Sequence, residues 1–509
     1  MTAIHTFINS DNWTFWPAKK DIATLPSSLN IYKFYSAIFL FLLVFAALTN
    51  ISFLNNDLWQ DELYTLDNFV LVPVTRTLTD YHTTNNHIVF NFVANIYLKI
   101  IQTDNLGDLL DNPLLIRILP YLFTLISVPA FYYGARKMQG PLFAVIALSI
   151  YVSSLQLYTF GSQVRGYSLE LLLCIIMTNL LLSYHRHPSL KYLAYITVAG
   201  SLLLINLPST IYFFISLLAL VFLSAVYSSK IIKWNLLVRS ADFKLFIALS
   251  GAFLLFAIFF IFKKEQIAKL GYLFSSRNSI SDRIRLPIAV YYRFIDWRII
   301  LLLPVGYLIM QPLSFTKKNV SLLLAGLLII PFTVYFFHNP PSILRIWLVI
   351  LPVFCLFMAQ LCLPLFMVKS RLLIPFIGLL LLSLLLSMNY LKKQTYANNT
   401  RNFAATDLRY QYHLFGFNPK EITGKLEGKF RGDSIRAILY DPSAFGMSYY
   451  LRDKNLLPTD SLRSYRGKIF LIADRFNCFE KMVIPRENII DSGKNNSIHF
   501  FKWYLLNKK

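Results

Sequence analysis

The sequence predicts an all-α polytopic membrane protein with a small α/β domain at its C-terminal end, and three observations carry that prediction. Of 509 residues, 56% are hydrophobic and only 15% are charged, against about a quarter charged in soluble domains. Apolar stretches of about 20 residues, enough to span a bilayer core of about 30 Å, recur from Phe34 almost to Tyr390. They number about eleven. From Asn398 onward hydrophobicity falls, and short apolar runs such as AILY and IFLIAD alternate with amphipathic pieces such as SAFGMSYYLR, as strands alternate with helices in a small domain.

Charge sets the orientation. Lys19, Lys20 and Lys33 precede the first span, near 34–54, so residues 1–33 are read as a cytoplasmic segment. They hold no short apolar core with a small-residue cleavage site, so the first span is read as an uncleaved anchor. Residues 55–84 then lie outside, carrying Asp57, Asp61, Glu62, Asp67 and Asp80 against a single Arg76. The next stretch, NNHIVFNFVANIYLKIIQ, is apolar enough to be taken for a span. However, His87, Asn91, Asn95 and Lys99 recur every four residues and stack on one helical face, while Ile88, Phe92, Ile96 and Ile100 fill another. That is the pattern of an interfacial helix, and it extends the first outer loop to 55–113.

The later spans follow in register. A second span near 114–134 delivers Arg136 and Lys137 inside, and spans near 141–160 and 167–184 lead to HRHPSLK. Spans near 192–207 and 210–228 lead to Lys230, Lys233, Arg239 and Lys244, and the pairs Lys317 with Lys318 and Lys369 with Arg371 also fall inside. Counting 85–102 as a span would invert all these basic loops, against the positive-inside rule. Two further outer loops result, 263–298 and the short HNPPSILRIW. The membrane domain is thereby 34–390, and 391–509 is an extracytoplasmic α/β domain.

Lys and Arg total 49 against 26 Asp and Glu, a net charge of +23. Much of the surplus sits in short loops between spans, and no aromatic-plus-basic module accompanies it, so nucleic acid is excluded as a partner. Cys174, Cys355 and Cys362 lie in apolar runs and Cys478 stands alone, which makes neither a disulfide framework nor a zinc pattern.

The chemistry concentrates on the outer face. In WQDELYTLDNF, Asp61 and Glu62 follow Leu58 and Trp59, residues suited to a membrane interface, which sets the carboxylates beside any lipid-borne substrate. One reading is a solvated turn with a helix cap; the other is a general base that takes the proton of an attacking hydroxyl. A departing lipid phosphate would also need cations, and Arg grips phosphate oxygens in two places. Arg165 in SQVRGYSLE and Arg345 in PPSILRIW lie at outer boundaries, where they either hold phosphate or snorkel to headgroups. Arg283, Arg285, Arg293 and Arg298 in the long outer loop are individually weaker candidates. His87 either donates to a phosphate or completes the polar stripe of its helix. No cluster has metal-ligand spacing, although Asp61 and Glu62 could join a divalent cation with residues from elsewhere.

These residues resemble the polytopic GT-C glycosyltransferases that use polyprenyl-phosphate sugars, including protein O-mannosyltransferases and the transferases that add aminoarabinose to lipid A. WQDELYTLDNF followed by NNHIVFNFVANIYLKI is similar to that family's Asp-Glu pair and juxtamembrane segment, and SQVRGYSLELLL to its Arg-Gly-Tyr or Arg-Pro-Tyr stretch. The resemblance covers roughly the first 370 residues, with only these motifs specific. Where many relatives carry Pro-Pro or His-Pro-Pro this chain has TTNNHIVF, which puts contacts near Asn86 and His87 in question. The resemblance implies Asp61 as catalytic base, Glu62 as its support or acceptor anchor, and inversion at the sugar. It leaves Arg165, Arg345, His87 and Arg293 as candidates for the donor phosphate. It implies no nucleotide-sugar site, in agreement with the lack of a phosphate-cradling glycine loop. The partners expected are a polyprenyl-phosphate sugar, a lipid, glycan or protein acceptor, and membrane lipids, at a bacterial inner membrane with the site facing outward.

Two other classes stay open. A flippase or transporter would handle the same carriers, but would place its polar residues near the midplane, often in repeats. This chain shows no internal repeat and gathers its charge at one surface. A surface-polysaccharide polymerase or ligase would use an outer loop with catalytic Arg or His, as 263–298 offers.

Overall fold

The computed structural model describes residues 29–83, 86–228, 238, 240–269, 280–294, 318–338, 344–368 and 370–396, and towards the C-terminus residues 420, 436–439, 450, 456–457, 467–474, 489–494 and 501–508. Among them, seven helices are long and apolar enough to cross a membrane, or eight if the pair Pro141–Val152 and Leu155–Gly161, bent by 61°, is one span. The chain is a multi-pass membrane protein. The sequence-based count of about eleven is larger for identifiable reasons. One of its spans appears as a shorter apolar helix, Leu190–Asn206, and another is the 21-residue helix Lys318–His338, whose side chains before Leu324 lie outside the described residues. The apolar run at 299–310 also lies outside them, as do most of 1–33 and the basic segment 229–237.

The first span, α1 (Leu29–Ile51), shows Leu40, Phe41, Val44 and Leu48 outward, as suits a helix facing lipid rather than water. Four short pieces open the long loop that follows α1: α2 (Gln60–Thr65), a π-helical turn (Leu66–Val70), α3 (Val74–Thr79) and, past residues 84–85, α4 (Ile88–Ile100). Thirteen residues at 1.5 Å each cannot cross a bilayer core, so α4 is not a span. His87, Asn91 and Asn95 of its polar stripe turn inward, while Lys99 stays exposed. Asn95 Nδ2 donates to the Val70 and Val72 carbonyls at 2.7 Å each, and Asn91 Nδ2 donates to Asn86 Oδ1 at 2.8 Å. Ile96 and Ile100 face outward instead. Asn95 therefore satisfies backbone carbonyls of the loop, which cannot be left bare in an apolar setting.

After α5 (Leu106–Asp111) come the two-proline span α6 (Leu114–Gln139) and the bent pair α7 (Pro141–Val152) and α8 (Leu155–Gly161). Every residue of α7 from Leu142 is buried, as expected of a helix apolar on all sides at the centre of a bundle. At the bend, the Tyr158 hydroxyl donates to Val152 O at 2.6 Å, satisfying a carbonyl that the break frees. Helix α9 (Tyr167–Arg186) packs on α6 and on α10 (Leu190–Asn206). Then follow α11 (Ile211–Ser228), α12 (Ala241–Ile261), α13 (Lys264–Lys269), α14 (Ile280–Phe294), α15 (Lys318–His338), α16 (Leu351–Val368) and α17 (Leu373–Tyr396). A 3₁₀ segment, Leu344–Ile350, leads into α16.

The C-terminal region forms a five-stranded mixed sheet in the order β2-β1-β3-β5-β4. Strands β1 (Arg436–Leu439), β2 (Leu456–Leu457) and β3 (Gly467–Asp474) are parallel, while β5 (Phe501–Lys508) runs antiparallel to β3 and β4 (Ile489–Lys494). Of AILY, Ala437–Leu439 fall on β1, and IFLIAD falls on β3. Of SAFGMSYYLR, only Tyr450 is among the described residues. This region meets the loop between α1 and α6. Lys420 N donates to Asp57 Oδ2 at 2.9 Å, Lys420 Nζ to Asp111 O at 2.8 Å, and the Tyr450 hydroxyl to Leu58 O at 3.0 Å.

Candidate active site

Helix α2 begins at the interface residue Trp59, whose extended backbone leaves its N–H free for the Glu62 side chain at 3.0 Å, one half of a capping box. Successive helical residues point about 100° apart. Asp61 therefore faces outward, with 18% of its side chain exposed, and Glu62 faces inward with none.

Glu62 is enclosed by donors. Its Oε2 accepts from Arg117 Nη2 at 2.7 Å as well as from Trp59 N, and its Oε1 accepts from Val164 N at 2.8 Å. Arg117, on α6 and equally hidden from solvent, also donates to Ser162 O and Asp57 O at 3.0 Å each. Burial pushes the Glu62 carboxyl up, against the pull of Arg117 and the two backbone amides. Placed this way, Glu62 fastens α2 to α6 and to the 162–165 segment. It has no open side toward an acceptor. Nothing in the outer-loop charge pattern pointed to Arg117; its presence within a span was the available signal, because a charge there demands a partner.

Asp61 meets two cations at one oxygen. Arg165 Nη1 donates to Asp61 Oδ2 at 2.6 Å and Arg345 Nη1 to the same atom at 3.0 Å. The adjacent carboxylates thus face adjacent residues, Glu62 taking the amide of Val164 and Asp61 the guanidinium of Arg165. The two arginines come from segments 180 positions apart in the chain, as their numbers show, and converge only through the fold. Arg165 is nearly fully buried and stands 5.1 Å from the Tyr167 ring centroid, a cation–π contact that orients it.

Gly166 explains the Arg-Gly-Tyr spelling. A Cβ there would come within 2.8 Å of His87 Cβ and 2.9 Å of the Asn206 amide atoms, closer than packed carbon atoms tolerate. The buried Asn206, at the end of α10, donates from Nδ2 to Gly166 O at 2.9 Å and accepts from Phe90 N at 3.1 Å. It therefore pins the Arg165 segment to the start of α4. His87 packs edge-on against Tyr167 at 5.0 Å, fully buried. Burial pushes its imidazole well below the ordinary range, and the charges of Arg165 and Arg345 push it the same way. A neutral ring beside two guanidiniums offers a lone pair to them or an N–H to an anion.

The remaining candidates lie elsewhere. Arg283 Nη1 donates to Phe336 O at 3.1 Å, at the end of α15. Arg293 belongs to α14, but its side chain is outside the described residues, as is Arg298. Among the described residues no three His, Cys, Asp or Glu side chains gather at a common point for a metal, and Asp61 Oδ2 already faces two guanidiniums. A divalent cation at Asp61 would have Oδ1 as its ligand atom there, beside the two guanidiniums.

No family model and no curated protein matches the sequence. Among solved structures, the chain is similar to ArnT from Cupriavidus metallidurans bound to undecaprenyl phosphate, at 10% identity and a TM-score of 0.49, over 94% of this chain and 98% of that one. It is also similar to the Archaeoglobus fulgidus oligosaccharyltransferase tethered with an acceptor peptide containing the NVT sequon, at 12% identity and a TM-score of 0.43, over 82% of this chain and 63% of that one. Both are members of the GT-C fold. At these scores the likenesses decide nothing about the chemistry of this chain, which rests on the site itself.

Proposed function

We propose that this protein is an inverting glycosyltransferase that moves a sugar from a polyprenyl-phosphate carrier to an acceptor at the outer face of a bacterial inner membrane, with Asp61 as general base. The observation that carries the reading is the convergence of Arg165 and Arg345 on Asp61 Oδ2 at 2.6 and 3.0 Å. A base alone needs no such pair, and an anion site alone needs no carboxylate. Together they match a reaction in which a hydroxyl loses a proton while a phosphate departs.

In this account the donor phosphate lies against Arg165 and Arg345, with the neutral His87 as a further donor, and its polyprenyl tail stays in the bilayer. Asp61 Oδ2 is occupied by the arginines, so Oδ1 is the atom that takes the acceptor proton. The acceptor oxygen attacks the anomeric carbon on the face opposite the phosphate, the carbon–oxygen bond to phosphate breaks, and the electron pair leaves with the phosphate. Attack from the opposite face inverts the sugar. Glu62 acts at a distance by fixing the direction of Asp61, and the C-terminal region steadies the same loop through Lys420 and Tyr450.

The polymerase or ligase alternative differs only in acceptor and is served by the same residues. Transport draws less support, because the threading read from charge puts the carboxylate and arginines at an outer boundary rather than at the midplane. The test is direct. Purified protein in vesicles is given labelled polyprenyl-phosphate sugars and a membrane extract, and label should pass to an acceptor. Movement of the lipid-linked sugar between leaflets with no transfer would establish the flippase instead. A reporter enzyme active only outside the cytoplasm, fused after Lys509, should work, and silence would overturn the orientation.

A further inference from the structure

One helical turn beyond Asp61, the first outer loop holds a second set of linked side chains. The Tyr64 hydroxyl lies 2.9 Å from His82 Nε2, and His82 Nδ1 lies 2.6 Å from Asp80 Oδ1. The same carboxylate oxygen accepts the His82 backbone N–H at 3.1 Å, and its partner Oδ2 accepts from Arg76 Nε at 3.4 Å. A carboxylate on Nδ1 keeps the proton there and leaves a lone pair on Nε2, so the Tyr64 hydroxyl is the donor to the ring. The buried Phe69 forms the floor of the set, its ring centroid 5.2 Å from that of His82 and 6.1 Å from that of Tyr64.

Burial pushes Asp80 up, but the hydrogen bonds and charge of His82, with Arg76, outweigh it and hold the carboxyl below the usual range. Lys263, arriving from the end of α12, donates to the Leu78 and Thr79 carbonyls at 2.7 and 2.9 Å and feels the Asp80 charge. With Tyr64, these are the charged and titratable groups shown against His82 and Asp80 among the described residues.

A surface network of this kind often does no more than staple a loop. Two features give this one a chemical direction. Asp61 and Tyr64 share the uncovered face of α2, while Glu62, Leu63 and Thr65 are buried, and side chains three apart on a helix stand about 5–6 Å from one another at Cβ. The far end opens to water, since 39% of the His82 side chain is exposed. Asp61 is less exposed, at 18% of its side chain, and the network offers its proton a basic acceptor nearer to water. A protonated carboxyl cannot pair with Arg165 and Arg345, so the proton taken from the acceptor must leave before the clamp re-forms for the next donor.

We propose that Tyr64, His82 and Asp80 form a proton relay that empties Asp61 after each transfer, an inference that rests on Asp61 being the base. The Asp61 Oδ1 proton passes by way of one water to the Tyr64 oxygen as the Tyr64 hydroxyl proton passes to His82 Nε2. The imidazolium formed is held by the Asp80 carboxylate and gives its Nε2 proton to bulk water. Each donor regains its starting state, and no other reactant is consumed.

The test uses full-length protein in vesicles, comparing the first turnover with steady state. In His82→Ala and Tyr64→Phe, donor binding and the first turnover should match wild type, and steady-state turnover should fall by about 100-fold, the lower range for acid–base groups. Free imidazole should restore His82→Ala, which a merely structural role would not allow. Tyr64→Phe, which changes one atom, guards against misfolding as the cause. Steady-state rates equal to wild type in both variants would overturn the relay alone. Equal losses in first and later turnovers, unrescued by imidazole, would overturn it too. A wild-type protein that transfers nothing would overturn the relay together with the transferase reading.

Discussion

Glu62 and Arg117 form an ion pair 2.7 Å long with neither side chain exposed to solvent, and this pair is what divides the labour between two adjacent carboxylates. With Glu62 committed inward, Asp61 is left as the partly exposed carboxylate of the two. The pair also ties α2 to α6, so the direction of Asp61 is set by a span and not by a loop alone.

Breaking the pair from one side should be severe. Arg117→Leu strands a buried carboxylate and should cost about 3–5 kcal/mol, whereas Glu62→Leu with Arg117→Leu together should recover much of that loss. Denaturant unfolding in detergent, run as a double-mutant cycle, measures it. Additive losses would show that the two residues do not act as a pair.

Gly166→Ala tests close packing beside Arg165. Its Cβ would press on His87 and Asn206, and overpacking of this kind costs about 1–3 kcal/mol. The variant should melt lower and bind polyprenyl phosphate less tightly, both read on one preparation. A variant with wild-type melting and binding would show that the segment has slack.

His87 makes a prediction about pH. Its folded imidazole is held well below the ordinary value, so the unfolded chain takes up the proton first. The stability it contributes is complete above the unfolded value of about 6.5 and is lost as pH falls from there. Between pH 7.5 and 5.5 one such group removes up to about 1.4 kcal/mol. Melting temperatures at the two values, for wild type and His87→Gln, measure the difference. The variant should lack this part of the fall, and identical falls would mean His87 is not buried neutral.

Tyr450→Phe deletes the hydroxyl that donates to Leu58 O. One neutral hydrogen bond contributes about 0.5–1.5 kcal/mol, so the fold should survive. The turnover number should drop more than donor affinity, because the loop that aims Asp61 loosens while the arginines remain. Donor affinity that drops as far as turnover would argue instead for a direct contact with the lipid carrier.

Much of the layout was open to reading from the chain alone, for physical reasons that can be named. Apolar runs and basic loops mark spans because lipid admits little else, and the four-residue spacing of His87, Asn91 and Asn95 marks α4 as a helix with one polar face. The direction of that face was another matter, since the Val70 and Val72 carbonyls that receive Asn95 carry no sequence signal. Asp61, Arg165 and Arg345 stand out as charges at outer boundaries, but that they meet at one oxygen is a property of tertiary structure. Arg117 was overlooked as one charge in an apolar run, and Asn206 as a polar residue at a helix end. AILY and IFLIAD read as strands, whereas the order β2-β1-β3-β5-β4 depends on pairing between distant segments, which local pattern does not encode.

The most direct measurement compares wild type with Asp61→Asn in the labelled transfer assay, with polyprenyl phosphate binding followed on the same samples. The substitution keeps shape and removes charge. Transfer should fall by about 100-fold or more, as loss of a general base requires, in a protein that still folds and still binds the lipid phosphate through Arg165 and Arg345. Transfer at or near the wild-type rate in that variant would contradict the account, because the carboxylate on which both arginines converge would then have no part in the reaction.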